Sequence, residues 1–209
     1  MLKGPILVVE DVPNVLEFLE LTLRFKGYAV VSAHNGLEGL EMVEKTRPAM
    51  IITDILMPRM DGYTFIQKLR TSDTDSSHIP VIFLSATFVT LEDKNFAMSL
   101  GATRFLEKPV DTEDFLLTIA EIWTQDQQDL PNPMNMPDFY KGYLDRLEQK
   151  LRYKNTQIAR TRQLLPTLPE EQREAYQSMM QLAQNDRENI QTELQEVYDI
   201  LEKLKKTGQ

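Results

Sequence analysis

Between residues 1 and 125 the chain alternates between two textures. Short, mostly apolar runs at Ile6–Val9, Tyr28–Ala33, Met50–Thr53, Pro80–Leu84 and Thr103–Leu106 have the length and composition of buried strands. Between them apolar residues recur three and four apart, the spacing of an amphipathic helix. Val12–Lys26 carries Val12, Val15, Leu16, Leu19 and Leu23, with Gly27 as its stop. Leu37–Lys45 directs Leu37, Leu40, Met42 and Val43 inward. Tyr63–Leu69 and Leu91–Leu100 follow, and Asp111 or Thr112 caps a last helix running to Thr124. Strand and helix alternate five times. That rhythm predicts a doubly wound α/β domain, a parallel sheet covered on both faces and joined by right-handed crossovers.

The period changes in the second half. Residues 126–137 are polar and carry Pro131, Pro133 and Pro137, which predicts a stiff linker rather than a continuous helix. From Asp138 to Leu165 apolar residues step by four and three through Tyr140, Leu144, Leu147 and Leu151, then Ile158 and Leu165, with Lys154 and Thr161 as interruptions. Pro166–Pro169 breaks the pattern, and Glu170–Lys206 resumes it from Tyr176 to Leu204, with Arg187 in the stripe. Two long helices joined by a tight turn form an antiparallel hairpin or coiled coil. The second helix is longer by about nine residues, roughly 14 Å at a helical rise of ~1.5 Å per residue. Folding about Thr167 therefore predicts that Val197–Leu204 has no partner within the hairpin. A two-helix hairpin buries little by itself, so a homodimer through a four-helix bundle is expected. Packing of the overhang back on the first domain is the alternative.

Composition narrows the function classes. The chain has 209 residues, 42% of them hydrophobic and 26% charged, as in ordinary globular proteins. That length suits one typical domain plus a smaller module. The absence of cysteine removes disulfides and thiolate metal sites and points to a reducing, cytoplasmic setting. The apolar run at Ile6–Val9 ends at Glu10 and Asp11, too soon for a signal peptide, and nothing later approaches the length of a membrane span. The net charge is −9. Residues 1–125 hold 11 basic and 18 acidic side chains and residues 126–209 hold 12 and 14, a balance that argues against DNA as a main partner. Neither His34 nor His78 sits in a context that suggests chemistry.

The chemistry collects at the predicted strand ends. Glu10, Asp11, Asp54, Ser85 and Lys108 each follow the C-terminal end of a strand, and in a doubly wound sheet those ends share one crevice. Three crowded carboxylates call for a hard divalent cation, and an all-oxygen donor set suits Mg²⁺. A lysine and a hydroxyl facing the same cluster suit a phosphoryl group, for which a carboxylate can be the nucleophile.

These residues resemble the receiver domain of two-component response regulators. The match comprises Glu10-Asp11, Asp54 with Met57-Pro58 and Asp61-Gly62 after it, Ser85-Ala86, Gly101-Ala102 and Lys108-Pro109. The resemblance implies the flavodoxin-like strand order 2-1-3-4-5 and a cis peptide at Lys108–Pro109. It implies that Asp54 accepts a phosphoryl group from a histidine kinase or phosphotransfer protein. Asp11, Asp54 and the Leu56 carbonyl would hold Mg²⁺, with Glu10 acting through water. Lys108 would pair with the phosphate, and Ser85 and Phe105 would be the switch residues. Leu56 and Thr87 stand at positions that tune hydrolysis. With no acid or amide at Leu56 to orient water, the phosphoryl group is expected to last minutes or longer. Val110 replaces an aromatic common after Lys-Pro, which alters the face formed by the last two helices of the domain.

The second half has no histidine, so it lacks a phosphotransfer acceptor. Its helices are too long for a helix-turn-helix reader, and the second half as a whole is acidic. No glycine-rich phosphate loop or catalytic cluster suggests an enzymatic output. The expectation is a phosphoacceptor response regulator, not an enzyme with a separate substrate, whose hairpin dimerises or binds a protein partner. A phosphate sink or relay intermediate and a constitutive dimeric scaffold are the rival readings.

Overall fold

The computed structural model describes residues 4–72, 74–85, 90–124 and 134–207. It forms two compact units, 1–134 and 135–209. The first contains strands β1 (Ile6–Val9), β2 (Val30–Ala33), β3 (Met50–Thr53), β4 (Val81–Ser85) and β5 (Arg104–Glu107). Helices α1 (Pro13–Phe25), α2 (Gly36–Thr46), α3 (Gly62–Arg70), α4 (Leu91–Ser99) and α5 (Thr112–Thr124) connect and follow them. A 3-10 turn at Asp75–His78 precedes β4.

The five strands are parallel in the order β2-β1-β3-β4-β5, the flavodoxin-like order. Every residue of β1, β3 and β4 is buried, as strands covered on both faces must be. On one face Ile6, Val8, Ile52 and Leu84 pack in a single cluster with Leu16, Leu19 and Leu23 of α1 and Phe115, Ile119 and Ile122 of α5. Val110 packs against the same cluster. On the other face the rings of Phe83, Tyr63 and Phe96 meet edge to face at centroid distances of 5.5 and 5.1 Å, a favoured aromatic geometry. Aligned β1, β3 and β4 put Glu10, Asp54 and Ser85 at one edge of the sheet.

Local sequence explains the helix starts. Asn35, fully buried, accepts from the amides of Leu37 and Glu38 at 3.1 Å each. Asp61 accepts from Thr64 N at 2.9 Å, and Asp111 from Glu113 N and Asp114 N, so Asp111 fills the capping role. Of the positions expected to face inward on α2, Val43 is buried and Leu40 and Met42 are half-buried. Gly36, Gly39 and Val43 are its buried residues, whereas Leu37 is 44% exposed. A Cβ on Gly39 would lie 3.2 Å from the Phe65 ring and 3.4 Å from Val9. The helix thus approaches the sheet through glycine, and Leu37 is turned outward. Val12 precedes α1 and is likewise exposed.

The second unit is a hairpin of α6 (Met136–Leu164) and α7 (Glu170–Thr207), joined by a 3-10 turn at Leu165–Thr167. Pro137 does not end a linker. It sits in the first turn of α6, where the missing N–H costs nothing, and Asn135 is the cap. The rest of the predicted linker, 126–133, lies outside the described residues. The register also differs from a fold about Thr167. Tyr143 donates to Glu193, Tyr198 donates to Glu148 at 3.0 Å, and Lys154 pairs with Asp186 at 2.6 Å. Each partner lies farther along α7 than that fold would put it, because the 3-10 turn carries α6 onward before Leu168 and Pro169 reverse the chain. Tyr198 therefore lies opposite α6, and Val197 beside it is buried. The first residues of the segment expected to be bare, Val197 and Tyr198, are therefore covered or partnered. No described helix is long and apolar enough to cross a membrane.

Candidate functional site at the strand tips

The residues after β1, β3 and β5 converge as expected. Asp54 N donates to Val9 O at 3.0 Å, Glu10 N to Ala33 O at 3.0 Å and Lys108 N to Ser85 O at 2.8 Å. These backbone bonds fix the three tips relative to one another. Carboxylate oxygens of Glu10, Asp11 and Asp54 all lie within 4.8 Å of one another. Lys108 reaches between two of them, with Nζ 2.6 Å from Glu10 Oε2 and 2.9 Å from Asp54 Oδ2. Glu10 is 1% exposed, and its other oxygen accepts from Val12 N at 3.3 Å. Asp54 Oδ1 accepts from Ile55 N at 2.6 Å.

The electrostatics follow from this crowding. Burial pushes the Glu10 carboxyl above its ordinary range. The Lys108 hydrogen bond opposes that shift, and the Asp54 charge reinforces it. Asp11 is also raised, first by burial and then by the Asp54 charge, against its own backbone hydrogen bond. For Lys108, burial is the largest single influence and lowers its pKa. The carboxylates of Asp54 and Glu10 together outweigh it, so the ammonium is held above its usual value. Three hard oxygen donors at this spacing, with no imidazole or thiolate among them, fit a divalent cation such as Mg²⁺.

Gly62 is a constraint on the site. An ideal Cβ there would lie 2.2 Å from the Asp54 carbonyl oxygen and 2.9 Å from the Phe83 ring. Its amide donates to Ile55 O at 2.8 Å, closing the turn that carries Asp54. Gly62→Ala is expected to cost about 1–3 kcal/mol through overpacking against the Asp54 carbonyl. Denaturant unfolding of the variant against the wild type would check this.

A profile described as "Response regulator receiver domain" matches residues 6–120, more than half of the chain. This chain belongs to the response regulator receiver family. It is 34% identical over 119 residues to YkoG of Bacillus subtilis, described as an uncharacterized transcriptional regulatory protein; the match covers 57% of this chain and 50% of that protein. The chain thus spans about half the length of that curated relative. Among solved structures, it is similar to the receiver domain of a signal transduction histidine kinase from Syntrophus aciditrophicus. That match has TM-score 0.54 and 32% identity, and covers 61% of this chain and 96% of that one. It is also similar to the chemotaxis protein CheY4 of Vibrio cholerae, with TM-score 0.53 and 31% identity, covering 57% of this chain and 98% of that one.

Ser85 ends β4 and is 2% exposed. Phe105 is half-buried, its ring tilted at 6.1 Å from that of Phe83. The Lys108–Pro109 peptide is cis. Ala86 and Thr87 lie outside the described residues. His34 and His78 are exposed.

Sequence reasoning missed two features. One is that Lys108 bridges Glu10 and Asp54. The other is Arg70, 4% exposed, whose guanidinium donates to Gly101 O at 2.8 and 3.2 Å and to Ser77 O at 2.8 Å. Burial lowers its pKa to about 10. Its partners are backbone carbonyls, which leave no mark in the side-chain pattern. Gly101, at φ +91°, would bring a Cβ to 2.9 Å from Arg70 Nε, so a visible glycine accompanies a hidden arginine.

Proposed function

We propose that Asp54 is the phosphoacceptor of a histidine-to-aspartate relay, and that its phosphorylation biases the receiver face to control dimerisation or partner binding through the α6–α7 hairpin. The observation that carries this reading is the Lys108 ammonium held between Asp54 and Glu10. It supplies a fixed positive charge beside the attacking oxygen. Asp54 attacks the phosphorus of a phosphohistidine. The P–N bond breaks, an acyl phosphate forms, and the leaving imidazole takes up a proton. Bound at Asp11, Asp54, the Leu56 carbonyl and, through water, Glu10, Mg²⁺ would neutralise charge on the transferring group. Lys108 then pairs with the phosphate, and Ser85 and Phe105 move with it. The added charge of about −1.5 to −2 shifts a two-state equilibrium on the α4–β5–α5 face.

A sensor kinase or phosphotransfer protein is the proposed donor. Support for a docking partner comes from α1, which begins beside Asp11. Phe18, Leu21 and Phe25 recur at helical spacing along it and are 51%, 62% and 86% exposed. A stripe of this kind on a surface helix is unusual without a partner.

Light scattering after size exclusion, with Mg²⁺ and with or without beryllofluoride as an acyl-phosphate mimic, tests the coupling. A mass increase in the wild type and none in Asp54→Asn is expected. A dimer of constant mass in every condition would reduce the hairpin to a fixed dimeriser.

A further inference from the structure

The two helices of the hairpin have opposite charge. α6 carries seven lysines and arginines against three acids, whereas α7 carries five against nine. The acidity of the second half therefore belongs to α7. The Lys154–Asp186 ion pair marks one flank that both helices share. By helical spacing, Leu182, Met179 and Ala175 follow Asp186 down that flank of α7, and Gln157, Thr161 and Leu164 follow Lys154 on α6. Towards the turn the flank becomes apolar and open: Leu182 is 65% exposed, Met179 56% and Leu164 42%.

We propose that a second copy of this chain packs on this flank near the turn, with α6 of one protomer against α7 of the other across a two-fold axis. The inference rests on the dimer reading above and moves its seam from the C-terminal end of α7 to the turn. An isologous contact sets the patch on itself, so Leu182, Met179 and Leu164 of both protomers close over one another. The charges select the arrangement. Crossed pairing sets a basic helix on an acidic one, whereas like-with-like pairing sets basic on basic and acidic on acidic. A membrane surface or an unrelated acidic partner would meet only one of the two helices favourably.

The test uses the full chain, by light scattering across a concentration series and with circular dichroism to follow helicity. Both Met179 and Leu182 are more than half exposed, so Met179→Glu/Leu182→Glu leaves the hairpin folded. The wild type is expected to dimerise, and the double variant to raise the dissociation constant at least about 100-fold. Since the chain has no cysteine, Leu182→Cys reports position. Mild oxidation is expected to give a disulfide-linked dimer, whereas Gln195→Cys, half a turn around α7, gives none. A wild-type dimer that survives the double Glu variant and yields no Leu182→Cys link overturns this seam and leaves dimerisation standing. A wild type that stays monomeric with and without beryllofluoride overturns both.

Discussion

Asp54→Asn is expected to reduce phosphoryl incorporation from acetyl phosphate to background while the fold persists. The amide is nearly isosteric and can still accept from Ile55 N, as the carboxylate does at 2.6 Å. What disappears is the nucleophile. A carboxylate oxygen can form an acyl phosphate, and an amide oxygen of far lower basicity cannot compete with it. Neighbouring acids do not replace it on geometric grounds. Glu10 is 1% exposed and bound by Lys108 and Val12 N. Asp11 lies just before α1, and the reading above assigns it to the cation. The readout is intact mass after incubation with acetyl phosphate and Mg²⁺. Incorporation at the wild-type rate in Asp54→Asn would place the acceptor elsewhere and end the mechanism proposed above.

Lys108→Met is expected to give the largest loss of stability in the receiver, and one that depends on pH. Removing the ammonium leaves Glu10 buried without the cation that pairs with it, and an uncompensated buried charge costs about 3–5 kcal/mol. Glu10 can relieve this by taking up a proton, because its folded pKa already stands above the ordinary value of 4.5. The sign follows from linkage. A carboxyl raised in the folded state makes the native protein bind more protons than the unfolded chain, so stability falls as pH rises from 4.5 through the folded pKa. The deficit of the variant is therefore smallest near pH 4.5 and complete above the folded pKa of Glu10. In the wild type, the contribution of Lys108 has the opposite range. It is present below 10.5 and is lost as pH rises through the elevated folded pKa. Urea unfolding at several pH values measures both. Mg²⁺ should recover part of the variant's loss, by the stabilisation that any ligand of the native state confers. A deficit independent of pH would show that Lys108 stabilises through packing instead.

The fold of the receiver was legible because its signals are local and repeated. Apolar runs of four or five residues ended on Asp54 and Ser85, and glycine or proline marked the breaks, so strand count could be read without tertiary information, whereas the strand order came from the family resemblance. The site was legible at the level of which residues meet, since topology alone carries five strand ends to one edge. Helix faces were less legible. On α2 the pattern favoured Leu37, yet the buried residues are Gly36, Gly39 and Val43, because glycine leaves no hydrophobic signature while allowing the closest approach to a sheet.

By itself, then, the sequence determined the alternation of strands and helices, the acidic pair, Asp54 and Lys108 at the strand ends, and the two amphipathic helices. Tertiary structure decided what those side chains bind. Lys108 lies 98 residues from Glu10 in the chain, and no local preference encodes an ion pair at that separation. Gly62 is compulsory only because the Asp54 carbonyl comes within 2.2 Å of where its Cβ would be. The hairpin register was likewise undecided. A heptad pattern matches itself when slid by whole repeats, so periodicity is blind to sliding. The Leu165–Thr167 turn and the Lys154–Asp186 ion pair set the alignment, and the long side chains of Tyr143 and Tyr198 reach along the helices to Glu193 and Glu148.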